Sequence, residues 1–426
     1  MVKRIPFILI IAITICGQFI NGQPASVLPG NGFLYSEIHP VVSDSGFTLF
    51  YTYRIPYNRF VFIKEGNKYS TKFRISIEVT DSLAKHVTRQ IEEENIIAGN
   101  YDETNSGKVS FEGIIKFNLP AGIYKLMPEI TDLNSNQDLK LHELRVNLYR
   151  YMKKNFMPPV VIQNDEVKCK EITNFELTNF DNSIPFSEEE YGLIIPAHDT
   201  TLNSIYIAII NGEDTVYKNR VEKHFLSKII LTICEGKIII KSSDSLTTTN
   251  NFILDNFSNL LKAGATEILV SKDSSFKNKE EFNIPVVWFD EPFSLRNPKE
   301  AIEYLADIEN RNIVDSLLSF STEEYPKVLL EFWKKYDPTR ESEFNPLMNE
   351  FYLRVDYTIK NYATLSGKNG ADTDRGKIYI QYGKPKEIER FSNQYGKVEE
   401  KWIYENPFRS FEFIDNEGAG NYTLIK

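Results

Sequence analysis

The stretch Lys72–Thr80 reads KFRISIEVT and alternates apolar and polar residues without interruption. Successive side chains of a β-strand point to opposite faces, so one face of this segment is apolar and the other polar. This period of two predicts a strand with one face on a hydrophobic core. The residues expected on that core are Phe73, Ile75, Ile77 and Val79.

Two neighbouring segments repeat the pattern, and turn-forming triplets such as Glu65-Gly66-Asn67 and Pro120-Ala121-Gly122 separate the runs. Several short alternating strands with such punctuation are typical of an antiparallel β-sandwich of immunoglobulin-like type. We therefore predict one sandwich over residues 23–155. Its further core positions are Phe47, Leu49, Tyr51, Tyr53, Phe111, Ile115, Phe117 and Leu119.

A second antiparallel sandwich is predicted over residues 156–292, after the linker Met157-Pro158-Pro159. Two prolines in a row forbid helix and resist strand pairing. The segments Ser204–Ile210 and Lys228–Cys234 are apolar enough for central strands. Asn211-Gly212 is a strong hairpin signal, and Glu235-Gly236 offers another tight turn.

The last part of the chain, residues 293–426, is predicted to be an α+β domain in which helices precede an antiparallel sheet. Helices are expected at about 298–362, because Asn297-Pro298 and Asn345-Pro346 are typical helix starts and apolar stripes at helical spacing follow them. Strands are expected at about 377–426, in the segments Lys377–Tyr382, Lys401–Tyr404, Phe411–Ile414 and Asn421–Ile425.

Four segments of this last part are distinctive, namely Glu331–Thr339, Phe351–Val355, Trp402–Tyr404 and above all Gly370–Pro385 (GADTDRGKIYIQYGKP). In these segments the chain resembles the bacterial GWxTD-domain proteins, and the likeness is specific over about residues 290–426. Ala371 stands where the tryptophan that names the family belongs. Members are exported proteins of unknown function, so the resemblance implies a compartment and a fold rather than a reaction.

The N-terminus predicts export. Lys3 and Arg4 precede the apolar run Ile5–Ile15, which is shorter than the roughly 20 residues of a membrane-spanning helix. We interpret residues 1–22 as a signal peptide, with the mature chain in the periplasm, at the outer membrane or outside the cell. No later segment is predicted to span a membrane. The net charge of −10 disfavours nucleic acid as a partner, because phosphate binding depends on lysine and arginine.

The most polar motif of the C-terminal region is a run of acidic, hydroxyl and basic residues between two glycines. It could act as an acid–base or cation site, or as a structural turn in which Asp and Thr bond backbone amides. We favour the turn, because no second carboxylate cluster accompanies the motif. The residues concerned are Gly370, Asp372, Thr373, Asp374, Arg375 and Gly376.

Other signals for chemistry are weak. The five histidines are scattered without metal-ligand spacing, so we predict no metal site, no cofactor and no catalytic residue. Cys169 and Cys234 could form a disulfide in an oxidising compartment, or both could be buried free thiols.

Aromatic residues make up 13% of the chain and crowd the C-terminal strands. They could form an exposed platform for a glycan or a protein, or they could be core residues covered by the helices, which we favour. The platform would consist of Tyr379, Tyr382, Trp402 and Tyr404. The leading hypothesis is a non-catalytic envelope scaffold or interaction module with envelope proteins or glycans as partners. The alternatives are a carbohydrate-binding module that uses these aromatics, and a hydrolase-type enzyme that uses Asp372 and Asp374.

Overall fold

The structure is a computed structural model that describes residues 34–43, 45–169, 172–243 and 249–426. The predicted signal peptide lies outside these residues. The chain folds into three consecutive parts, two of them built mainly from antiparallel strands and the last from helices followed by a sheet. The mainly β architecture with a C-terminal α+β part is as predicted.

The first part is a sandwich of two antiparallel sheets. One sheet has the order β1-β2-β6, and in the other β4 pairs with β3, β5 and β7 while β7 also pairs with β8 and β9. The predicted apolar faces of β2 and β4 are buried between the sheets. The strands are β1 (Tyr35–Ser43), β2 (Gly46–Pro56), β3 (Ile63–Glu65), β4 (Lys68–Asp81), β5 (His86–Ala98), β6 (Ser110–Leu119), β7 (Ile123–Asp132), β8 (Gln137–Lys140) and β9 (Leu144–Asn147), with the single-turn helices α1 (Tyr101–Thr104) and α2 (Leu148–Tyr151).

The second part also has two antiparallel layers, and one of them closes into a barrel of order β10-β11-β17-β16-β18-β13. The barrel closes because β13 pairs with both β10 and β18. The other layer has the order β15-β14-β19-β20, and β12 pairs with β21. The strands are β10 (Val160–Cys169), β11 (Ile172–Leu177), β12 (Ile184–Pro185), β13 (Tyr191–Ala197), β14 (Ile205–Asn211), β15 (Asp214–Val221), β16 (His224–Cys234), β17 (Lys237–Ser243), β18 (Thr249–Leu254), β19 (Thr266–Ser271), β20 (Glu280–Asn283) and β21 (Val286–Val287).

Both predicted hairpin turns of this part are present. Gly212 has φ of +65° in the turn between β14 and β15, and Gly236 has φ of +80° in the turn between β16 and β17. Such backbone angles favour glycine because it has no side chain to clash.

The third part packs helices on one face of a sheet of order β22-β23-β24-β25. Asn297 and Asn345 cap α3 and α6 as predicted, each accepting a hydrogen bond from a backbone amide three residues on. The elements are α3 (Pro298–Tyr304), α4 (Arg311–Leu318), α5 (Tyr325–Lys334), α6 (Pro346–Tyr362), α7 (Asp374–Tyr382), β22 (Glu387–Ser392), β23 (Val398–Glu405), β24 (Phe408–Asp415) and β25 (Tyr422–Leu424).

The predicted strand Lys377–Tyr382 is wrong, because this segment belongs to helix α7. Thr373 caps the helix, and the buried residues Arg375, Ile378 and Tyr379 recur at helical rather than alternating spacing. The β-branched and aromatic residues suggested a strand. Packing of one helical face against α6 and the sheet decides otherwise.

The first two parts are joined by an apolar interface. Phe50 on β2 points away from the core of its own sandwich and packs with Ile194 and Leu231 of the barrel. Beside it, Thr52 Oγ1 donates a buried hydrogen bond of 3.0 Å to Asn179 Oδ1. Strand β2 is therefore covered on both faces, which explains its nearly continuous burial.

The second and third parts meet through an aromatic cluster. The ring centroid of Phe186 lies 5.3 Å from that of Trp288 and 5.2 Å from that of Phe344, both in edge-to-face geometry. In the described part of the chain, no helix is long and apolar enough to cross a bilayer.

Candidate functional site

The GADTD segment forms a tight turn that starts helix α7. Asn369 Oδ1 accepts a hydrogen bond from the backbone amide of Ala371, and residues 370–372 form a 3-10 turn. The Thr373 hydroxyl donates to the carbonyl oxygen of Gly370 at 2.7 Å and accepts from the amide of Gly376 at 3.0 Å. This threonine therefore closes the turn and caps the helix at once.

The two glycines of the motif allow close backbone contact. A Cβ atom at Gly370 would lie 1.9 Å from the carbonyl oxygen of Thr358 near the end of α6. A Cβ atom at Gly376 would lie 2.0 Å from the carbonyl oxygen of Gly370. Both positions exclude a side chain, because real Cβ contacts are far longer. Ala371, at the position of the family tryptophan, is buried in the helical core.

The two aspartates of the motif have different surroundings. Asp374 Oδ2 accepts a hydrogen bond of 2.8 Å from the amide of Leu424, which ties α7 to the last strand. Asp372 is exposed to solvent. Burial raises the pKa of the nearby Asp307 to about 6, with Asp372 adding to the rise and Lys377 opposing it.

Arg375 makes a buried ion pair with Glu400 on β23. Arg375 Nη1 lies 3.3 Å from Glu400 Oε2, and the two residues are 9% and 1% exposed. Glu400 also accepts from Arg390 Nε at 2.7 Å and from Trp402 Nε1 at 3.2 Å. The carboxylate thus has three donors, as a buried charge requires.

The Arg375 guanidinium is held on other sides too. Its carbon Cζ lies 3.9 Å from the ring centroid of Tyr422 and 5.0 Å from that of Tyr362, and Nη2 donates to the carbonyl oxygen of Gly420 at 3.2 Å. The motif residues that we singled out are brought together, and their described contacts join α6, α7 and the sheet.

The aromatic platform considered from the sequence is not an exposed surface. Trp402 is completely buried, and Tyr379 and Tyr404 are nearly so. Tyr382 is partly buried, and its hydroxyl accepts from Arg409 Nη1 at 2.9 Å. Trp402 and Tyr404 occupy inward positions of β23, and Tyr379 and Tyr382 pack on the same core from helix α7.

Sequence reasoning missed a buried polar pair in the first part. His39 Nε2 lies 3.0 Å from Glu37 Oε2, and both residues are buried. Among the described residues, no group of three or more His, Cys, Asp or Glu is placed to hold a metal ion. Cys234 is disulfide-bonded, whereas the side chain of Cys169 lies outside those described, so their pairing stays a prediction.

A cleft of about 790 Å³ lies where the three parts of the chain meet, and we call it the three-domain cleft. Sequence analysis gave no sign of it, because its walls come from segments far apart in the chain. Its aromatic wall stacks Phe180 on Phe289, with ring centroids 4.7 Å apart, and the edge of Tyr35 meets both. The Arg54 guanidinium lies 4.0 Å from the Phe180 ring centroid.

Two residues that line the three-domain cleft each carry one polar atom that is buried from solvent. Arg54 Nε and Asn349 Oδ1 are buried atoms without a hydrogen-bond partner among the groups that the structure describes. Tyr191 also lines the cleft, and its hydroxyl shares a hydrogen bond of 3.1 Å with Ser187. Burial raises the pKa of Tyr191 to about 12, so the phenol is neutral near pH 7.

Comparison with known proteins places the C-terminal part in a family. A solved structure of a serine-rich repeat adhesion glycoprotein (Srr1) from Streptococcus agalactiae aligns with 57% of this chain and 89% of its own, at 11% identity. Its TM-score of 0.19 is too low to support an argument about fold or ligand. A search of curated proteins finds no match to the chain. The family model of the GWxTD domain matches residues 269–426. The chain therefore carries a GWxTD domain over these residues, as the resemblance implied.

Proposed function

We propose that this protein is exported and acts in the cell envelope by binding, as a non-catalytic scaffold or interaction module. The basic and then apolar sequence of residues 3–15 supports export. Envelope proteins or glycans are the partners that this location offers, in the periplasm, at the outer membrane or outside the cell.

The observation that supports a binding role is the engagement of the GADTD side chains. Thr373 caps α7, Asp374 bonds the amide of Leu424, and Arg375 is buried against Glu400. A general acid or base must instead present its proton to a substrate. The motif that offered the enzyme hypothesis its carboxylates therefore uses most of its polar atoms to assemble the fold.

Asp372 is the remaining acidic group of the motif and is solvent-exposed. An Asp372→Asn variant tests the enzyme alternative, because it removes the charge and touches neither the cap nor the ion pair. We expect purified wild type and variant to leave envelope glycans and peptides equally unchanged, as judged by mass spectrometry. Products released by the wild type and missing with the variant would contradict the proposal.

Export and partners are tested in the native cell. Proximity labelling with the full chain fused at its C-terminus to a labelling enzyme is expected to mark envelope proteins. A matched fusion that lacks residues 1–22 serves as the control and is expected to mark cytoplasmic proteins. The same label pattern from both fusions would contradict the proposed export.

A further inference from the structure

We infer that the three-domain cleft binds a neutral oligosaccharide. This inference rests on the proposed binding role and adds to it a site and a class of ligand. Clefts of about 300–1,000 Å³ at domain junctions are common ligand sites, and a volume of about 790 Å³ accommodates several sugar rings.

The polar side chains that line the cleft suit a ligand with hydroxyl groups. Gln163 and Asn349 carry both donors and acceptors, and Ser110, Ser187 and Tyr191 carry hydroxyl groups. A hydroxyl group both donates and accepts, so one kind of ligand group can bond all of these side chains. A carboxylate or phosphate can bond only the donors, and an ammonium group only the acceptors.

The charges of the cleft disfavour an anionic ligand. Each cation that lines it already faces a carboxylate, so little positive charge is left for a phosphate or a uronic acid. The pairs are Arg54 with Glu112 at 3.8 Å, Lys108 with Asp290 at 3.8 Å, and Lys237 with Glu176 at 2.9 Å. Three further carboxylates, those of Glu188, Glu189 and Glu350, line the cleft and can accept hydrogen bonds from hydroxyl groups.

The aromatic wall provides the apolar contact that a sugar ring needs. The C–H groups on one face of a pyranose carry slight positive charge, and the faces of aromatic rings are negative. Phe289 and the Arg54 guanidinium cover the two faces of Phe180, so the sugar contact on this wall falls to Phe289, which is partly exposed. Phe186 and Phe344 also line the cleft and belong to the aromatic cluster around Trp288.

The inference is tested by calorimetric titration of the full chain with trisaccharides of glucose, galactose, mannose and N-acetylglucosamine. Trigalacturonic acid and trialanine serve as the anionic and peptide probes. We expect at least one neutral trisaccharide to bind and to change the fluorescence of Trp288, which lies beside the cleft. Silence from all four neutral sugars, or binding of trigalacturonic acid or trialanine alone, would overturn the inference.

Two asparagines of helix α6 give a matched pair of variants. Asn349 lines the cleft, whereas Asn361 is exposed near the other end of the helix and bonds the carbonyl oxygen of Tyr357. Asn349→Ala is expected to weaken sugar binding by about two- to tenfold, the usual effect of one lost hydrogen bond, and Asn361→Ala to leave it unchanged. Equal affinities for both variants and the wild type would place the sugar elsewhere.

Failure of this inference is distinct from failure of the proposed function. Mass spectrometry of the trisaccharide after the titration shows whether it was cleaved. Cleavage would contradict the non-catalytic role and leave the sugar site standing. Absence of sugar binding together with envelope labelling in cells would overturn the sugar site and leave the binding role standing.

Discussion

Replacing Glu400 by glutamine tests whether the buried ion pair holds the GWxTD domain together. The substitution keeps the shape of the side chain and leaves the guanidinium of Arg375, which is 9% exposed, without its anion. Removing one partner of a buried pair costs about 3–5 kcal/mol. Arg375 keeps the carbonyl oxygen of Gly420 and the ring of Tyr422. We therefore expect the free energy of unfolding of this domain to fall by about 3 kcal/mol, the lower end of that range.

Urea unfolding of the full chain measures this change, because the three tryptophans of the protein, Trp288, Trp333 and Trp402, all lie in the matched domain. With a typical urea dependence of about 1–3 kcal/mol per M, the fluorescence midpoint should fall by about 1–3 M. Glu399→Gln is the control, since this partly exposed neighbour faces the other side of β23 and accepts from Asn393. Equal midpoints for Glu400→Gln and Glu399→Gln would refute the reasoning.

Three further substitutions test the same region. Arg390→Gln removes a cation whose side chain is 68% exposed and should lower the free energy of unfolding by no more than about 1 kcal/mol in the fluorescence assay. A loss as large as that of Glu400→Gln would contradict the expectation that the exposed cation contributes less than the buried one. Gly376→Ala places a Cβ atom 2.0 Å from a carbonyl oxygen and should lower the free energy of unfolding by about 3 kcal/mol or prevent folding. The control is Gly99→Ala, whose Cβ atom has its nearest contact at 3.5 Å and should change that free energy by no more than about 1 kcal/mol. Unfolding of both variants is followed by circular dichroism. The folded state raises the pKa of Asp307 from 3.8 to about 6, so it holds that proton more tightly than the unfolded chain and stability falls as pH rises between these values. Asp307→Asn should therefore stabilise the domain by about 1–2 kcal/mol at pH 7.5, after allowance for partial exposure, and should have no effect at pH 3.5. Equal effects at the two pH values would contradict the raised pKa of Asp307.

Local sequence patterns predicted the β-rich architecture because each strand carries its own signal. The alternation in β2 and β4 places Leu49, Tyr51, Ile75 and Ile77 in the core, where the structure buries them. The pattern did not reveal that one layer of the second part closes into a barrel. Closure depends on which strands pair, and β13 pairs with β10 and β18 from distant segments.

Helix α7 shows where local propensity fails. The segment Lys377–Tyr382 is rich in β-branched and aromatic residues, which favour strands. The cap by Thr373 and the close approach of Gly376 to Gly370 fix the helix instead. A threonine followed by an aspartate at a helix start was the signal available in the sequence.

The partners of the motif lie too far along the chain for spacing to identify them. Arg375 pairs with Glu400 25 residues later, and Asp374 bonds Leu424 50 residues later. One signal was present, because Glu400 shares the inward face of β23 with Trp402 and a carboxylate on an apolar face requires a cation. The three-domain cleft left no such signal, since three separate parts supply its walls.

A chain of contacts connects the GADTD motif to the three-domain cleft. Arg354 on α6 donates to the carbonyl oxygens of Ile380 and Gln381 on α7, and its Nε atom donates to Glu350 Oε1 at 2.7 Å. Glu350 lines the cleft. The motif fixes the start of α7, α7 holds Arg354, and Arg354 positions a cleft carboxylate. Glu400→Gln should reduce the folded fraction of the domain. Arg354→Met should leave the domain folded and weaken its binding of sugar, because Glu350 then loses the group that positions it.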